Sequence, residues 1–88
     1  MRYRTDRPTL YAAIGEQIML TRWRAGLSQR GLGDLLGISH AAVSDIERAK
    51  SKPDLDNLSA VADVLGVSLA QIVVLPDERR RTAPREGE

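Results

Sequence analysis

Apolar residues recur at steps of three and four positions through most of the chain, which is the spacing of one face of an α-helix. Leu10, Ile14 and Ile18 carry this spacing in the first segment, which stops at Gly26. No stretch alternates steadily between apolar and polar positions, so the pattern does not indicate strands. It predicts a first helix from about Thr9 to Arg24.

Two short helices separated by three residues are predicted next. Ser28 is a suitable N-cap for a helix over Gln29–Leu36, and Gly37 tolerates the left-handed conformation that ends it. Ser39 caps the following helix, which runs from His40 to about Ala49. So short a connection makes the two helices cross steeply and leaves the N-terminal end and outer face of the second one free. The major groove of DNA, about 12 Å wide, admits one such helix.

Two further helices complete the pattern. Pro53 cannot continue the third helix, and Asp54 or Asp56 caps a fourth helix that ends at Gly66. Ser68–Gln71 matches the capping-box pattern of a short fifth helix. The predicted fold class is therefore all-α, a compact five-helix bundle. Its predicted core is formed by large apolar residues, namely Ile14, Ile18, Leu27, Leu32, Leu36, Ile38, Val43, Ile46, Leu55, Leu58, Val61, Leu65, Val67, Leu69 and Ile72.

The 88 residues divide into a basic N-terminal arm (1–8), the helical domain (9–75) and a charged tail (76–88) that we expect to be disordered because it has no large apolar residue. The arm holds Arg2, Arg4 and Arg7 against one acid, the domain six bases against seven acids, and the tail four of each. The net charge of +1 therefore does not by itself indicate binding to nucleic acid. If the chain binds a polyanion, its bases must lie on one face.

Composition excludes several kinds of site. The chain has no cysteine and one histidine, His40, which excludes disulfides, thiolate zinc sites, cysteine nucleophiles and multi-histidine metal sites. No glycine-rich phosphate loop follows a strand, so we expect no enzyme, cofactor or metal. No apolar run approaches the roughly 20 residues that cross a bilayer, and the arginine-rich start is unlike a secretory signal. We expect a cytoplasmic protein without a membrane segment.

A longer set of residues keeps one spacing through all five helices. It comprises Ile14-Gly15, Ile18, Arg22, Gly26-Leu27-Ser28-Gln29, Leu32, Leu36-Gly37-Ile38-Ser39, Val43-Ser44, Ile46-Glu47-Arg48, Pro53, Leu58, Ala62, Leu65-Gly66-Val67-Ser68-Leu69 and Ile72. This set resembles the helix-turn-helix family of phage repressors and Cro proteins, also called the Xre family. The chain departs from the family at Gly33, where alanine is usual at the tight helix crossing and where we expect a methyl group to fit. It departs again at Ala49, where the third helix usually ends in glycine.

The resemblance implies a lambda-repressor-like fold and a sequence-specific regulator of transcription, most often a repressor, that binds double-stranded DNA. It implies that His40, Ala41, Ser44 and Asp45, at the start of the third helix, face base edges. The other interpretation of the one histidine is a solvated residue in a first helical turn. Phage, restriction–modification and toxin–antitoxin settings all fit this fold.

The residues expected to contact phosphate surround that helix. Gln29 and Ser39 begin helices, whose N-terminal ends carry positive partial charge and free N–H groups. Arg22 and Glu47 resemble a partly buried ion pair of the family. The other interpretation of these residues is two solvated charges. Arg48, Lys50 and Lys52 are three bases within five residues. This density favours contacts to phosphate over simple solvation of the charges. The full set of predicted phosphate contacts is Arg22, Gln29, Ser39, Arg48, Lys50 and Lys52, with Arg2, Arg4 and Arg7 as a further arm along the backbone or minor groove.

The last helix carries more apolar surface than so small a body covers. In the family this end commonly forms a two-fold interface. The resemblance therefore implies a homodimer joined through Leu69, Ile72, Val73 and Leu75, whose two third helices bind a pseudo-palindrome. The other interpretation of these residues is plain core packing. A different function remains as an alternative, a protein-interaction module such as an antitoxin, with Trp23 and Met19 as the surface for a partner protein.

Overall fold

The computed structural model describes residues 7–73, with side chains from residue 10 onward. Five helices follow one another, α1 (Arg7–Arg24), α2 (Gln29–Leu36), α3 (His40–Glu47), α4 (Leu55–Leu65) and α5 (Leu69–Ile72). This part of the chain contains no strand, so the all-α five-helix prediction is confirmed. The helix bounds differ from the prediction at two places. Helix α1 begins two residues before Thr9, and α3 ends two residues before Ala49.

Local sequence explains where most of these helices begin and end. The side chains of Ser28, Ser39 and Asp54 each accept a hydrogen bond from a backbone N–H in the first turn of α2, α3 and α4. Asp54 is therefore the N-cap of α4, while Asp56 lies inside its first turn. Gly37 ends α2 in the left-handed conformation, which costs glycine little because it has no Cβ.

All five helices contribute to one core. Four side chains at its centre have almost no contact with solvent: Ile18 of α1, Leu32 of α2, Val43 of α3 and Ile72 of α5. Around them lie further buried residues of α1 and α4, namely Ile14, Leu58, Val61, Ala62 and Leu65. The apolar residues whose spacing predicted α1, Leu10, Ile14 and Ile18, lie in or against this core, whereas Leu35 of α2 is 59% exposed.

Two members of the predicted core are wrong. Leu55 is 65% exposed and Ile38 is 37% exposed. Leu55 is the first residue of α4, and Ile38 lies in the connection between α2 and α3, so each is at an edge of the bundle. The rest of the predicted core is buried or half-buried against it.

Several predictions lie outside the described residues. These are the six residues at the start of the arm, Leu75 and the whole charged tail. No helix in the described part of the chain is both long enough and apolar enough to cross a membrane.

Candidate nucleic-acid interface

Helices α2 and α3 pack together through a glycine. A Cβ atom built on Gly33 would lie 2.6 Å from the carbonyl oxygen of Ile38 and 3.3 Å from the carbonyl carbon of Ser39. The first of these distances is shorter than real contacts allow, so the expectation that a methyl group fits here is wrong. Both neighbouring atoms belong to the backbone, which moves less easily than the end of a side chain to make room for a methyl group. The glycine at this position permits a closer crossing than alanine would.

The short turn that follows is fixed by hydrogen bonds to the same helix. The N–H groups of Gly37 and Ile38 both donate to the carbonyl oxygen of Gly33. Ser39 then begins α3, its hydroxyl accepting from the N–H of Ala42 at 3.0 Å. The first two N–H groups of α3, those of His40 and Ala41, have no partner within the helix, as at every helix start.

One face of α3 is buried and the opposite face is open. Val43 and Glu47 point into the bundle. The four residues predicted to contact bases lie elsewhere on the helix: His40, Ala41 and Asp45 are exposed and Ser44 is half-buried. The structure thus brings these four residues together on the outer side of α3, at and after its N-terminal end.

Arg22 and Glu47 form a buried ion pair at the other end of α3. Arg22 Nε donates to Glu47 Oε2 at 2.6 Å, and Nη2 donates to Oε1 at 3.0 Å. The two side chains are 7% and 2% exposed. The pair is more completely buried than the partly buried pair that the resemblance implied.

This burial counts against the phosphate contact predicted for Arg22. Its third nitrogen, Nη1, donates to the carbonyl oxygen of Leu27 at 2.9 Å, so each nitrogen of the guanidinium has a protein partner. These bonds use three of its five N–H groups, and with the side chain 7% exposed little of it faces the surface. Gln29 is also engaged, since its Nε2 donates to Glu47 Oε1 at 3.0 Å.

The basic residues after α3 remain on the surface. Arg48, Lys50 and Lys52 are all exposed. The chain leaves α3 through Ala49, whose φ of 61° is left-handed, and the N–H of Lys50 donates to the carbonyl oxygen of Asp45 at 2.7 Å. This hydrogen bond holds Lys50 beside the last turn of α3. Three exposed bases thus follow one another after α3, and the exposed acids Asp54, Asp56 and Asp63 come later, at the N-cap of α4 and within α4.

The residues predicted to form a dimer interface are placed differently from one another. Ile72 is fully buried in the core, so its assignment to an interface is wrong. It is the α5 residue that fills the space between α1 and α4. Leu69 and Val73 are half-buried against the core, and Leu75 lies outside the described residues. Of the two residues suggested for a partner protein, Trp23 is 57% exposed and Met19 is half-buried.

The structural role of one residue at this site was not identified from the sequence, although the residue belongs to the set that resembles the family. Gly15 lies where α1 crosses the end of α3, and a Cβ built on it would be 2.5 Å from the carbonyl oxygen of Glu47. The signal that could have revealed it is a glycine in the interior of a helix between two buried isoleucines, which often marks a close approach of two backbones. In the described part of the chain, no group of acidic or histidine side chains is arranged to hold a metal ion.

Comparisons with known proteins agree with this geometry. The sequence profile described as helix-turn-helix matches residues 18–72. The HTH-type transcriptional regulator PuuR of Escherichia coli is 35% identical over 66 residues, which are 75% of this chain and 36% of PuuR. The chain therefore spans about a third of that relative's length.

Two solved structures are similar in fold as well as in sequence. The hypothetical transcription factor NHTF from Neisseria has a TM-score of 0.74 and 29% identity, covering 93% of this chain and 94% of its own. The P22 c2 repressor, in complex with a synthetic operator, has a TM-score of 0.62 and 32% identity, covering 68% and 91%. The lambda-repressor-like fold and the resemblance found in the sequence are both confirmed. The chain belongs to the helix-turn-helix family of phage-repressor and Cro type.

Proposed function

We propose that this protein is a sequence-specific, double-stranded DNA-binding regulator of transcription that acts as a repressor. The observation that carries the proposal is the contrast between the two faces of α3. Its inner face is fixed by Val43 and Glu47, and its outer face and N-terminal end are free. An exposed helix held rigidly in this way fits the major groove, where base edges are distinguishable.

The four residues on the outer face of α3 contact base edges in this proposal. The imidazole of His40 donates to a purine or accepts from a base, and the methyl group of Ala41 packs on a thymine methyl. Ser44 bonds to either kind of base, and Asp45 accepts from cytosine N4. Since the set lacks arginine, asparagine and glutamine, DNA shape supplies part of the specificity.

Phosphates on either side of the groove bind to helix starts and to the basic segment. The free N–H groups at the starts of α2 and α3 are suited to phosphate oxygens because the helix dipole is positive there. Arg48, Lys50 and Lys52 follow α3 and are exposed, so they reach the backbone next to the groove. The side chain of Arg22 has no part in this contact, since it is buried against Glu47.

A homodimer presents two such helices to one pseudo-palindromic site. The half-sites of dimeric helix-turn-helix proteins are one helical turn apart, about 34 Å. Leu69 and Val73, both half-buried on the last described segment, are the apolar residues that such an interface uses here. Sedimentation of the full chain at increasing concentration, with and without DNA, tests this step. A monomer under all conditions contradicts it.

The relatives support the regulatory role over the alternative of a partner-binding module. PuuR is named as a transcriptional regulator, and P22 c2 is a repressor seen with an operator. Nothing in either name points to a protein that mainly holds a partner, and no enzyme is named among the relatives described. A protein with this role works in the compartment that holds the DNA, and we propose the cytoplasm.

The proposal is tested by selecting duplexes from a random-sequence library with the full chain, followed by footprinting of the selected duplex at two salt concentrations. We expect one recurrent motif with two-fold symmetry. A triple variant (His40→Ala, Ser44→Ala and Lys50→Ala) no longer binds the selected duplex. A control triple variant on other surfaces (Arg24→Ala, Asp56→Ala and Asp63→Ala) still binds it. Recovery of no motif, or full binding by the first variant, overturns the proposal and favours the partner-binding alternative.

A further inference from the structure

A groove opens beside α3, on the side of this helix that faces the segment after it and the middle of α4. Its volume is about 410 Å³, and small-molecule sites typically occupy about 300–1,000 Å³. Val61 of α4 is buried in its wall, whereas Ile38 is 37% exposed. The groove thus offers apolar side chains to an occupant, namely Leu36, Ile38, Ala42, Ile46, Pro53 and Val61.

Two opposite charges line the same groove. Asp45 belongs to α3 and Lys52 to the segment that follows, and both residues are exposed. Within residues 10–73, neither charge has an ion-pair partner, so the two groups do not pair with each other. An occupant that carries both signs of charge compensates both groups, whereas an occupant with one charge leaves the other group to solvent.

The backbone sets the distance between these two residues. The carbonyl oxygen of Asp45 accepts hydrogen bonds from the N–H groups of Lys50 at 2.7 Å and Ser51 at 3.3 Å. Lys52 follows directly, and Pro53 restricts the backbone of Lys52 as well as its own. Lys52 therefore starts from a fixed point near Asp45, and its flexible side chain covers the remaining gap to a ligand.

We propose that this groove binds an amino acid with an apolar side chain, and that the bound amino acid weakens binding to DNA. The ammonium group of the ligand pairs with Asp45, its carboxylate pairs with Lys52, and its side chain packs on the apolar wall. Hydrogen bonds between two charged groups are shorter and stronger than those between neutral groups. The binding step stands on the groove itself, and only the effect on DNA rests on the proposed function.

Asp45 and Lys52 are also members of the proposed DNA interface, where the first contacts a base edge and the second a phosphate. A side chain that pairs with the amino acid is not available to DNA. Each ligand therefore weakens the binding of the other by the same factor. Loss of the Lys52 contact also makes the salt dependence of DNA binding shallower by about 0.9, the contribution of one phosphate.

The binding step is tested by titrating the full chain with L-leucine and following the backbone N–H signals of the protein by nuclear magnetic resonance. We expect saturable shifts at Ile38, Asp45 and Ser51. Two related compounds serve as controls: 4-methylpentanoate lacks the ammonium group, and 3-methylbutylamine lacks the carboxylate. Each should bind about tenfold more weakly, because one charged hydrogen bond is lost. Equal binding by either control, or no saturable shift with leucine, overturns the proposal.

A variant that fills the groove tests its location. Ala60 is exposed on α4 and lines the groove, and it is not one of the residues assigned to DNA. We expect Ala60→Phe to lose leucine binding and to keep its affinity for a selected duplex. Ala12→Phe, the matched change at an exposed position of α1, keeps both. Leucine binding by Ala60→Phe with wild-type affinity overturns the proposal.

Asp45→Asn decides the case if Ala60→Phe does not fold, because it keeps the size of the side chain and removes its charge. It should bind leucine about tenfold more weakly. An unchanged affinity for leucine overturns the proposal.

The effect on DNA is measured with the duplex selected by the wild-type chain, in the presence and absence of saturating leucine. We expect leucine to lower the affinity for this duplex about tenfold in the wild-type chain and to leave it unchanged in Ala60→Phe. An unchanged affinity in the wild-type chain overturns the regulatory step. If the wild-type chain selects no duplex, the proposed function fails by itself, and the leucine titration still reports whether the groove binds an amino acid.

Discussion

The guanidinium of Arg22 and the carboxylate of Glu47 meet in a two-bond ion pair that is shielded from water. The residues are 25 positions apart in sequence and belong to α1 and α3. With side chains 7% and 2% exposed, the charges are compensated by each other and by Leu27 and Gln29 rather than by solvent. The helix that faces DNA in our proposal is therefore attached to the bundle by a buried charge as well as by apolar packing.

We expect the pair to show strong coupling in a double-mutant cycle. Arg22→Met or Glu47→Met alone leaves one buried charge without its partner, which typically costs about 3–5 kcal/mol of folding free energy. The double variant removes both charges, so its loss is smaller than the sum of the single losses by about 2 kcal/mol. Urea unfolding of the four chains measures this. Additive losses would show that the two side chains do not depend on each other.

The sequence predicts the ends of helices better than the exposure of single residues. Ser28, Gly37 and Ser39 act on their own turns, so the bounds of α2 and the start of α3 are determined locally. The exposure of Ile38 depends on the angle at which α2 and α3 cross. The crossing in turn depends on backbone contacts between segments distant in sequence, which periodicity does not describe.

In the candidate site, too, local features could be predicted from the sequence, and features that depend on distant contacts could not. A helix presented with His40 and Asp45 on its outer side could be predicted from spacing and resemblance. The full burial of Arg22 could not, because it results from contacts with Leu27 and with Glu47 of α3, which the spacing of α1 does not describe. Ile72 was predicted both in the core and at an interface, and only its full burial decides for the core. The Gln29–Glu47 bond was missed for a related reason, since a glutamine at a helix start looks the same whether its amide faces a solvent ion or a buried carboxylate.

Gly15→Ala is expected to destabilise the protein, although alanine favours helices. The gain in helix propensity is about 1 kcal/mol, but the new methyl group would lie 2.5 Å from the carbonyl oxygen of Glu47 and 2.7 Å from that of Ile46. Separating the two backbones costs about 1–3 kcal/mol, as overpacking in a core does. We expect a net loss of about 1 kcal/mol in urea unfolding, with weaker binding to a selected duplex because α3 moves.

Gly31→Ala is the control for this prediction. A methyl group there would lie 3.3 Å from the hydroxyl of Ser28, a side-chain atom that can shift slightly. The propensity gain then dominates, and we expect stability to rise by about 0.5 kcal/mol. If both variants are stabilised, the close approach of α1 to α3 at Gly15 is wrong.

Ala49→Gly is expected to stabilise the fold. Ala49 has a φ of 61°, in the left-handed region that costs residues with a Cβ about 1–2 kcal/mol. Glycine removes this cost but adds unfolded-state entropy of about 0.5–1 kcal/mol. The expected net gain is about 0.5 kcal/mol, seen as a higher melting temperature. Ala60→Gly, on an exposed position of α4 with ordinary helical geometry, lowers stability by about 1 kcal/mol. Two changes of the same sign would contradict the role of the left-handed turn.

The salt dependence of DNA binding distinguishes the bases that contact phosphate from those that do not. Each phosphate neutralised on duplex DNA contributes about 0.9 to the slope of log affinity against log salt, because a condensed counterion is released. Lys50 is exposed directly after α3, so Lys50→Ala should make the slope shallower by about 0.9. Arg24 lines a separate cleft with Leu65 and Val67, on the side of α4 and α5, so Arg24→Ala should leave the slope unchanged. Titrations of a selected duplex at four salt concentrations measure both slopes. An unchanged slope for Lys50→Ala, or an equal change for both variants, would show that Lys50 does not contact a DNA phosphate. The proposed contacts beside the open face of α3 would then be wrong.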